Sequence, residues 1–402
     1  MYDAIVVGAR CAGSPTAMLL ARKGHRVLLV DRASFPSDTV STHIVWPHGA
    51  ECLDRWGLFD RLAATNCPPI ALEMVFDLGP FALRGGVPDA NRGRGGFCPR
   101  RTVLDKLLVD AAAESGVEVR EAFTVDRLIW DGDAVVGIAG HSRGGAPVEE
   151  RTRVVVGADG VHSLVAKAVR ADEYDAKPPI ATYFYSYYSG FDASDVEQYV
   201  RDGEGAACFP TNDGLTLIAG VWPSRRFEEI RSDVEGQIAK VHRSAPSVAD
   251  RLLCARREEK WTGTAGVANY FRKPYGSGWA LVGDAGYDKD PLTAQGISDA
   301  FADAQSLADA LDAALCGRRP YEAVLGEHHE SRDQRVKPMY DFTCELATLT
   351  PPPPHMQQLF AALHRSREET GRFYAALTGA TPLPQFMNPE NVGRIVGATA
   401  SY

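Results

Sequence analysis

Asp3-Ala4-Ile5-Val6-Val7-Gly8-Ala9-Arg10-Cys11-Ala12-Gly13-Ser14, residues 3–14, is the stretch that decides the fold. Asp3 to Gly8 is an apolar run of strand length, which reads as a parallel strand buried on both faces. A glycine-rich turn follows, then a helical stretch from Ser14 to Lys23 that ends at Gly24, a helix C-cap signal. Arg26 to Val30 reads as a second strand closed by Asp31, so the whole is a βαβ unit of about 30 residues. In such a unit Gly8 makes the tight turn and Gly13 lets helix and strand pack closely, with the helix N-terminus facing a pyrophosphate. Asp31 is placed to accept hydrogen bonds from a ribose. Arg10 stands where the fingerprint has its central glycine; it crowds the backbone approach but brings a cation to the phosphate. Strand, helix and terminal acid in register point to dinucleotide binding rather than an ordinary structural turn.

Around this unit, 402 residues leave room for two or three lobes. Apolar residues are 45% and charged residues 24%, a globular balance too apolar for disorder. The formal charge of −9 argues against a nucleic-acid partner, which calls for a basic stripe. No apolar run approaches the ~18 residues that span a bilayer, and the N-terminus lacks a basic leader, so a cytoplasmic enzyme is expected. The eight cysteines (11, 52, 67, 98, 208, 254, 316 and 344) form no CxxC pair and the histidines no HExxH. We therefore expect no metal and mostly inert core thiols.

Further along, Ala33 to Gly49 reads as a long ordered loop and Gly49 to Leu62 as helical. Thr102 to Ala113 is predicted as a helix with Thr102 as N-cap and an apolar stripe of Leu104, Leu107, Leu108 and Ala111. Short strands are expected at 117–119, 124–130, 134–139, 153–157 and 279–282. Residues 178–223 read as an antiparallel sheet with a hairpin turn at Asn212-Asp213-Gly214. Ile297, Ala300, Phe301, Ala304, Leu307, Ala308, Leu311 and Leu315 mark one face of a long amphipathic helix. After Pro351–Pro354 a last helical stretch runs from about Met356 to Leu377, and His328-His329 reads as part of a solvated helix face.

Two more motifs follow in chain order: Gly157-Ala158-Asp159-Gly160-Val161-His162-Ser163, and Gly283-Asp284-Ala285-Gly286 continuing to Pro291-Leu292-Thr293-Ala294-Gln295-Gly296-Ile297. With the N-terminal turn, over roughly residues 1–320, the set resembles the FAD-dependent aromatic hydroxylase superfamily, the para-hydroxybenzoate hydroxylase-like single-component monooxygenases. Flavin halogenases and geranylgeranyl reductases share the frame. The resemblance implies an α/β fold: a Rossmann-type FAD-binding lobe (1–76, 97–177 and 265–320), an inserted β-rich substrate lobe (77–96 and 178–264) and a helical C-terminal region (321–402).

It also implies that Gly8, Arg10, Cys11, Ala12, Gly13 and Ser14 hold the FAD pyrophosphate, that Asp31 binds the adenosine ribose and that Arg32 lies beside the adenine. Arg101 matches the arginine of an Arg-x-x-Leu pattern that contacts FAD. Val125 would touch the adenine through its backbone, and Asp159 and Gly160 match a motif tied to both FAD and the nicotinamide cofactor. Gly283 and Asp284 would hold the ribityl chain. Three positions depart from the pattern: Arg10, Lys167 where arginine is usual, and Ala294 where glycine often stands. Pro291 suits the first turn of a helix, and the amides of Gln295, Gly296 and Ile297 would face the flavin N1–C2 carbonyl, where a reduced flavin carries negative charge.

The implied cycle has NAD(P)H reduce FAD, O2 add at the flavin C4a carbon as a hydroperoxide, and the distal oxygen pass to an electron-rich carbon in a dry pocket. One dinucleotide fingerprint is visible and FAD claims it, so NADPH or NADH binds transiently, or a separate reductase supplies electrons if NAD(P)H does not reduce the flavin directly. On the strand 183–188, Tyr183, Tyr185 and Tyr187 share one face and Phe184 and Tyr188 the other, as either pocket wall or sheet core. His43 or Tyr185 is the candidate to orient or deprotonate a phenolic substrate, the alternative for His43 being an exposed loop position. The reading is a monooxygenase that hydroxylates or epoxidises an aromatic or polyketide-like small molecule with O2. A C=C reductase or desaturase, a halogenase-like enzyme and a non-catalytic FAD/ligand-binding flavoprotein are the alternatives. Neither a Trp-x-Trp-x-Ile-Pro halogenase signature nor a prenyl-reductase aromatic-x-Trp-x-Phe-Pro motif is present. A homodimer stays open, and neither nucleic acid nor membrane is expected as a partner.

Overall fold

The computed structural model describes residues 1–88 and 95–399. Residues 89–94 of the 77–96 segment and 400–402 of the tail lie outside the described residues. β1 (Tyr2–Val7), α1 (Gly13–Arg22) and β2 (Val27–Val30) form the expected unit, with β1 and β2 paired in parallel from Ala4↔Val27 to Val7↔Val30. α2 (Arg101–Glu114) begins one residue before the expected helix. Thr102 does not cap it: Arg100 holds the cap position without a side-chain bond, and Asp105 turns instead to arginines. β3 (Val148–Gly157) pairs in parallel with the other side of β1 and with Trp279–Leu281. The result is an eight-stranded sheet whose centre is covered on both faces, which is why β1, β2 and the Val154–Val156 end of β3 are continuously apolar.

The inserted sheet is also eight-stranded. Its centre is β4 (Ala181–Ser189) against β5 (Thr216–Pro223), in antiparallel register Tyr183↔Val221 and Tyr185↔Ala219. The strand Glu204–Pro210 joins β5 through a turn at Asn212–Gly214, the expected hairpin. Alternation along β4 sends Tyr185 and Tyr187 to a core shared with Phe209 and Leu217, and Phe184 and Tyr188 to the opposite face with Trp222. Trp222 and Cys208 share that opposite core with Phe184 and Tyr188.

α3 (Gly296–Leu315) buries all eight residues of its expected apolar face. At about 1.5–3 kcal/mol for each large side chain, that face anchors the third motif to the first, because α3 packs on α1. α4 (Tyr321–Leu346) carries His328 and His329, and here the structure differs from the reading: His328 is buried and bonds Ser306 through Nδ1 at 2.9 Å. The helices Pro354–His364 and Arg367–Leu377 pack on the inserted sheet, their Leu363, Phe373 and Tyr374 sharing a core with Phe76, Tyr185 and Leu217. Six cysteines are buried, while Cys254 and Cys316 are exposed.

Candidate cofactor and substrate site

One cavity of about 1230 Å³ runs from the N-terminal glycine turn to the aromatic face of the inserted sheet. At its near end Gly8 has φ +104 and donates to the Val30 carbonyl at 2.8 Å; a Cβ there would stand 2.3 Å from the Ala158 carbonyl oxygen. A Cβ on Gly13 would stand 1.8 Å from the Gly8 carbonyl oxygen, so both positions admit only glycine. Gly13 and Ser14 lie behind the cavity wall and shape it. Ser14 Oγ is buried without a partner among the described residues, an open donor at the start of α1.

Arg10, Cys11 and Ala12 line this end. The Arg10 guanidinium bonds the Asp105 carboxylate and, at 2.9 Å, Ser37 Oγ. Asp105 is fully buried and also receives Arg101 Nε and Nη2 at 3.0 and 2.9 Å. Two guanidiniums on one carboxylate leave a net positive charge facing the cavity, the sign a pyrophosphate needs. Burial pushes the Cys11 thiol up, Arg101 notwithstanding, so it stays protonated.

Asp31 accepts from the amides of Ala9 (2.7 Å) and Ala33 (2.8 Å), bracing the turn while lining the cavity beside the exposed Arg32. A carboxylate has about four acceptor sites, so a ribose can still be served. Val125 lines the wall just before a register shift in its strand. Asp159 and Gly160 line the cavity, but the Asp159 carboxylate is occupied by Ser163 Oγ and the amide of Leu164 at 2.6 Å. It therefore braces the turn while lining the cavity.

At the third motif, Asp284 projects its carboxylate into the cavity with no side-chain hydrogen bond among the described residues. Its pKa is raised, first by burial, with Arg101 and Lys289 opposing. Gly283 sits against Ala12, where a Cβ would stand 2.7 Å from the Ala12 methyl. Pro291 does not begin α3 as expected. It opens a separate 3-10 turn, Pro291–Thr293, ended by Ala294 in the left-handed region (φ 54, ψ 33). That conformation explains why glycine is usual there; alanine bears a cost of about 1 kcal/mol. α3 then starts at Gly296, and the first-turn amides of Gly296 and Ile297, which have no intrahelical acceptor, line the cavity. The Gln295 side chain points elsewhere, its Nε2 donating to the Leu377 carbonyl at 2.6 Å.

The glycine cradle, the free amides at α3 and the Asp284 carboxylate that lines the cavity fit a flavin dinucleotide. Glycine turn, Asp31, Val125, Asp159–Gly160 and Asp284–Ile297 converge on one cavity although they lie up to 289 residues apart in sequence (297 − 8).

The catalytic candidates fare less well. His43 is neither exposed nor at the cavity: it is fully buried at φ 65, edge-on to Tyr185 and 2.7 Å through Nε2 from the Tyr187 hydroxyl. Burial, helped by Arg101 and Arg100, lowers its pKa to about 3, so it is neutral and cannot touch a ligand. Tyr185 lines the cavity, but burial raises its pKa to about 12, which suits orienting a ligand and not accepting its proton. The sequence places Asp105 only as the partner of a Thr102 cap and marks no role for Asp290 or Lys289. The Arg101/Asp105 spacing of four was the one legible signal. One group of metal-type side chains, His25, Asp312 and Cys316, comes together among the described residues, but Asp312 is already paired with His25 and Arg318.

Residues 1–343 match the family model described as FAD binding domain, and the chain belongs to that family. It is 28% identical over 330 residues to a digeranylgeranylglycerophospholipid reductase of Methanosarcina mazei, covering 80% of this chain and 76% of that protein. It is 26% identical over 418 residues to the FAD-dependent monooxygenase cle3 of Aspergillus versicolor, covering 95% and 81%. Among solved structures, the myxobacterial chondrochloren halogenase CndH, an FAD-dependent halogenase, superposes with a TM-score of 0.79 at 20% identity over 99% of this chain and 96% of that one. The fungal monooxygenase and the halogenase are both FAD-dependent enzymes. No helix among the described residues is long and apolar enough to cross a membrane.

Proposed function

We propose that the protein is an FAD-dependent monooxygenase that takes electrons from NAD(P)H and transfers one oxygen atom of O2 to an aromatic or polyketide-like small molecule. In balance, substrate–H, NAD(P)H, H⁺ and O2 give substrate–OH, NAD(P)⁺ and water. The observation that carries this reading is the single cavity whose dinucleotide end opens into an aromatic and aliphatic chamber on the inserted sheet. FAD, when bound, supplies the redox and oxygen chemistry.

The residues of the chain supply position, charge and dryness. Gly8, Cys11, Ala12, Asp31 and the Arg10–Asp105–Arg101 group bind the dinucleotide, with Gly13 and Ser14 shaping the turn behind them. Asp284 meets its polyol, and the amides of Gly296 and Ile297 offer positive partial charge where a reduced ring system is negative. Phe76, Tyr185, Phe209 and Leu217 wall the far end and exclude water.

A C=C reductase is the second reading, favoured by the archaeal relatives. The cavity weighs against a substrate with long prenyl chains: sites for one small ligand occupy roughly 300–1,000 Å³, and this one must take FAD as well. The test is NAD(P)H oxidation in the presence of candidate substrates under ¹⁸O2. Label in a hydroxylated product is expected. Unlabelled, saturated product identifies a reductase, and failure of every compound to stimulate oxidation, with flavin that neither nicotinamide bleaches anaerobically, overturns the single-component reading.

A further inference from the structure

At the boundary between the two ends of the cavity, the Tyr183 hydroxyl donates to the Asp290 carboxylate. Both residues line the cavity, and Asp290 is fully buried. The carboxylate is fixed in place by the amides of Leu292 (3.1 Å) and Ala181 (3.3 Å), and its own amide is held by Asn269 Oδ1 at 2.6 Å. With its proton committed to Asp290, the Tyr183 oxygen can offer only lone pairs to the chamber, and the charge behind it strengthens them as acceptors.

The charges around the cavity are unequally distributed. Among the described residues, the lining arginines and lysine (Arg10, Arg32, Arg101, Arg272 and Lys289) belong to the dinucleotide-binding motifs and their flank, while the lining residues of β4 and β5 include none. Arg10, Arg101, Arg272 and Lys289 are each paired with a carboxylate.

We infer that the Tyr183–Asp290 pair is a specificity device that selects an uncharged, largely apolar substrate presenting one O–H or N–H donor and rejects carboxylate and phosphate anions. The inference deepens the function proposed above and rests on the sheet end of the cavity being the substrate end. A donor is recognised because it completes the chain donor–Tyr183–Asp290. An ether in the same place leaves the Tyr183 lone pairs unmatched, and an anion meets a buried carboxylate with no cation to offset it. Burial lifts Asp290 to about 6, so at neutral pH the carboxylate is charged and the tyrosine proton stays on it.

The test uses the FAD-loaded, oxidised protein without NAD(P)H and follows the flavin absorbance during titration with para-cresol, para-methylanisole and para-toluate. These probes present a donor, a capped oxygen and an anion on one ring. The cresol is expected to bind about tenfold or more tighter than either of the others. Tyr183→Phe should bring the cresol to the level of the anisole, with anisole affinity unchanged; Asp290→Asn should narrow the preference and admit the toluate. Equal binding of cresol and anisole, tighter binding of toluate, a preference that survives in Tyr183→Phe, or binding of none of the three overturns the inference. The readout needs no turnover, so a preference without labelled product sinks the oxygenase reading alone, and labelled product without the preference sinks this one alone.

Discussion

Acidification should reveal the buried His43 in the stability of the protein. An unfolded histidine titrates near 6.5, whereas in the fold His43 is held near 3 by burial and by the charges of Arg101 and Arg100. The folded value is the lower one, so its contribution is present above pH 6.5 and is lost as pH falls, because the unfolded chain takes the proton first. Between about pH 6.5 and pH 5 each pH unit removes about 1.4 kcal/mol, or about 2 kcal/mol in all. This figure depends on the unfolded value as long as the folded one stays below about 4. His242, lowered by burial to about 4, loses stability in the same direction, while Asp290, raised to about 6, gains it. A comparison with a variant removes both. His43→Asn suits the purpose, since asparagine tolerates the left-handed backbone found at this position and can bond Tyr187. Urea unfolding at about pH 7.5 and about pH 5, with constant excess FAD, should show the wild type losing about 2 kcal/mol more than the variant. Equal losses in the two proteins would mean that His43 is protonated in the fold at pH 5, and the argument for its neutrality would fail.

Two further outcomes follow from contacts at the dinucleotide end. Gly13→Ala places a methyl 1.8 Å from the Gly8 carbonyl oxygen and forces α1 off β1; the protein should purify without flavin, read as flavin absorbance per chain, and a yellow variant would refute the close packing. Asp105→Asn leaves Arg10 and Arg101 facing one another without their shared anion; a loss of about 3 kcal/mol or more in chemical denaturation is expected, against under 1 kcal/mol if the pairings were surface-like.

The parts of this fold legible in the sequence are those with a short period or a local constraint. The first βαβ unit, the eight-residue stripe of α3 and the Asn212–Gly214 hairpin all express spacing along the chain, and each stands where its spacing put it. The first FAD motif was legible because backbone geometry calls for glycine and aspartate at fixed offsets, and the second and third through the resemblance of their ordered motifs to a known family. Asp105 reaching Arg10 across 95 residues and Tyr183 reaching Asp290 across 107 were not, because side-chain pairing between distant elements has no period. His43 shows the limit most clearly: a loop histidine in a polar stretch read as exposed or catalytic, and only the packing of Tyr185 and Tyr187 over it makes it a core residue. The helix after the third motif was displaced for a local reason, since Ala294 takes the left-handed turn expected of a glycine and so separates Pro291 from α3.

The bond from Gln295 to the Leu377 carbonyl bears on the order in which this protein can mature. Leu377 lines the cavity and is among the last residues of the helix Arg367–Leu377, so one wall of the cofactor chamber is made by a late segment of the polypeptide. During synthesis the glycine turn emerges well before that wall and can fold with β1 and β2. The chamber beside α3 stays open to water until that wall arrives. Shielding of the flavin site is thereby tied to the arrival of this helix, and a nascent fragment that ends before it exposes a half-built cavity in which a reduced flavin would have no protection from solvent.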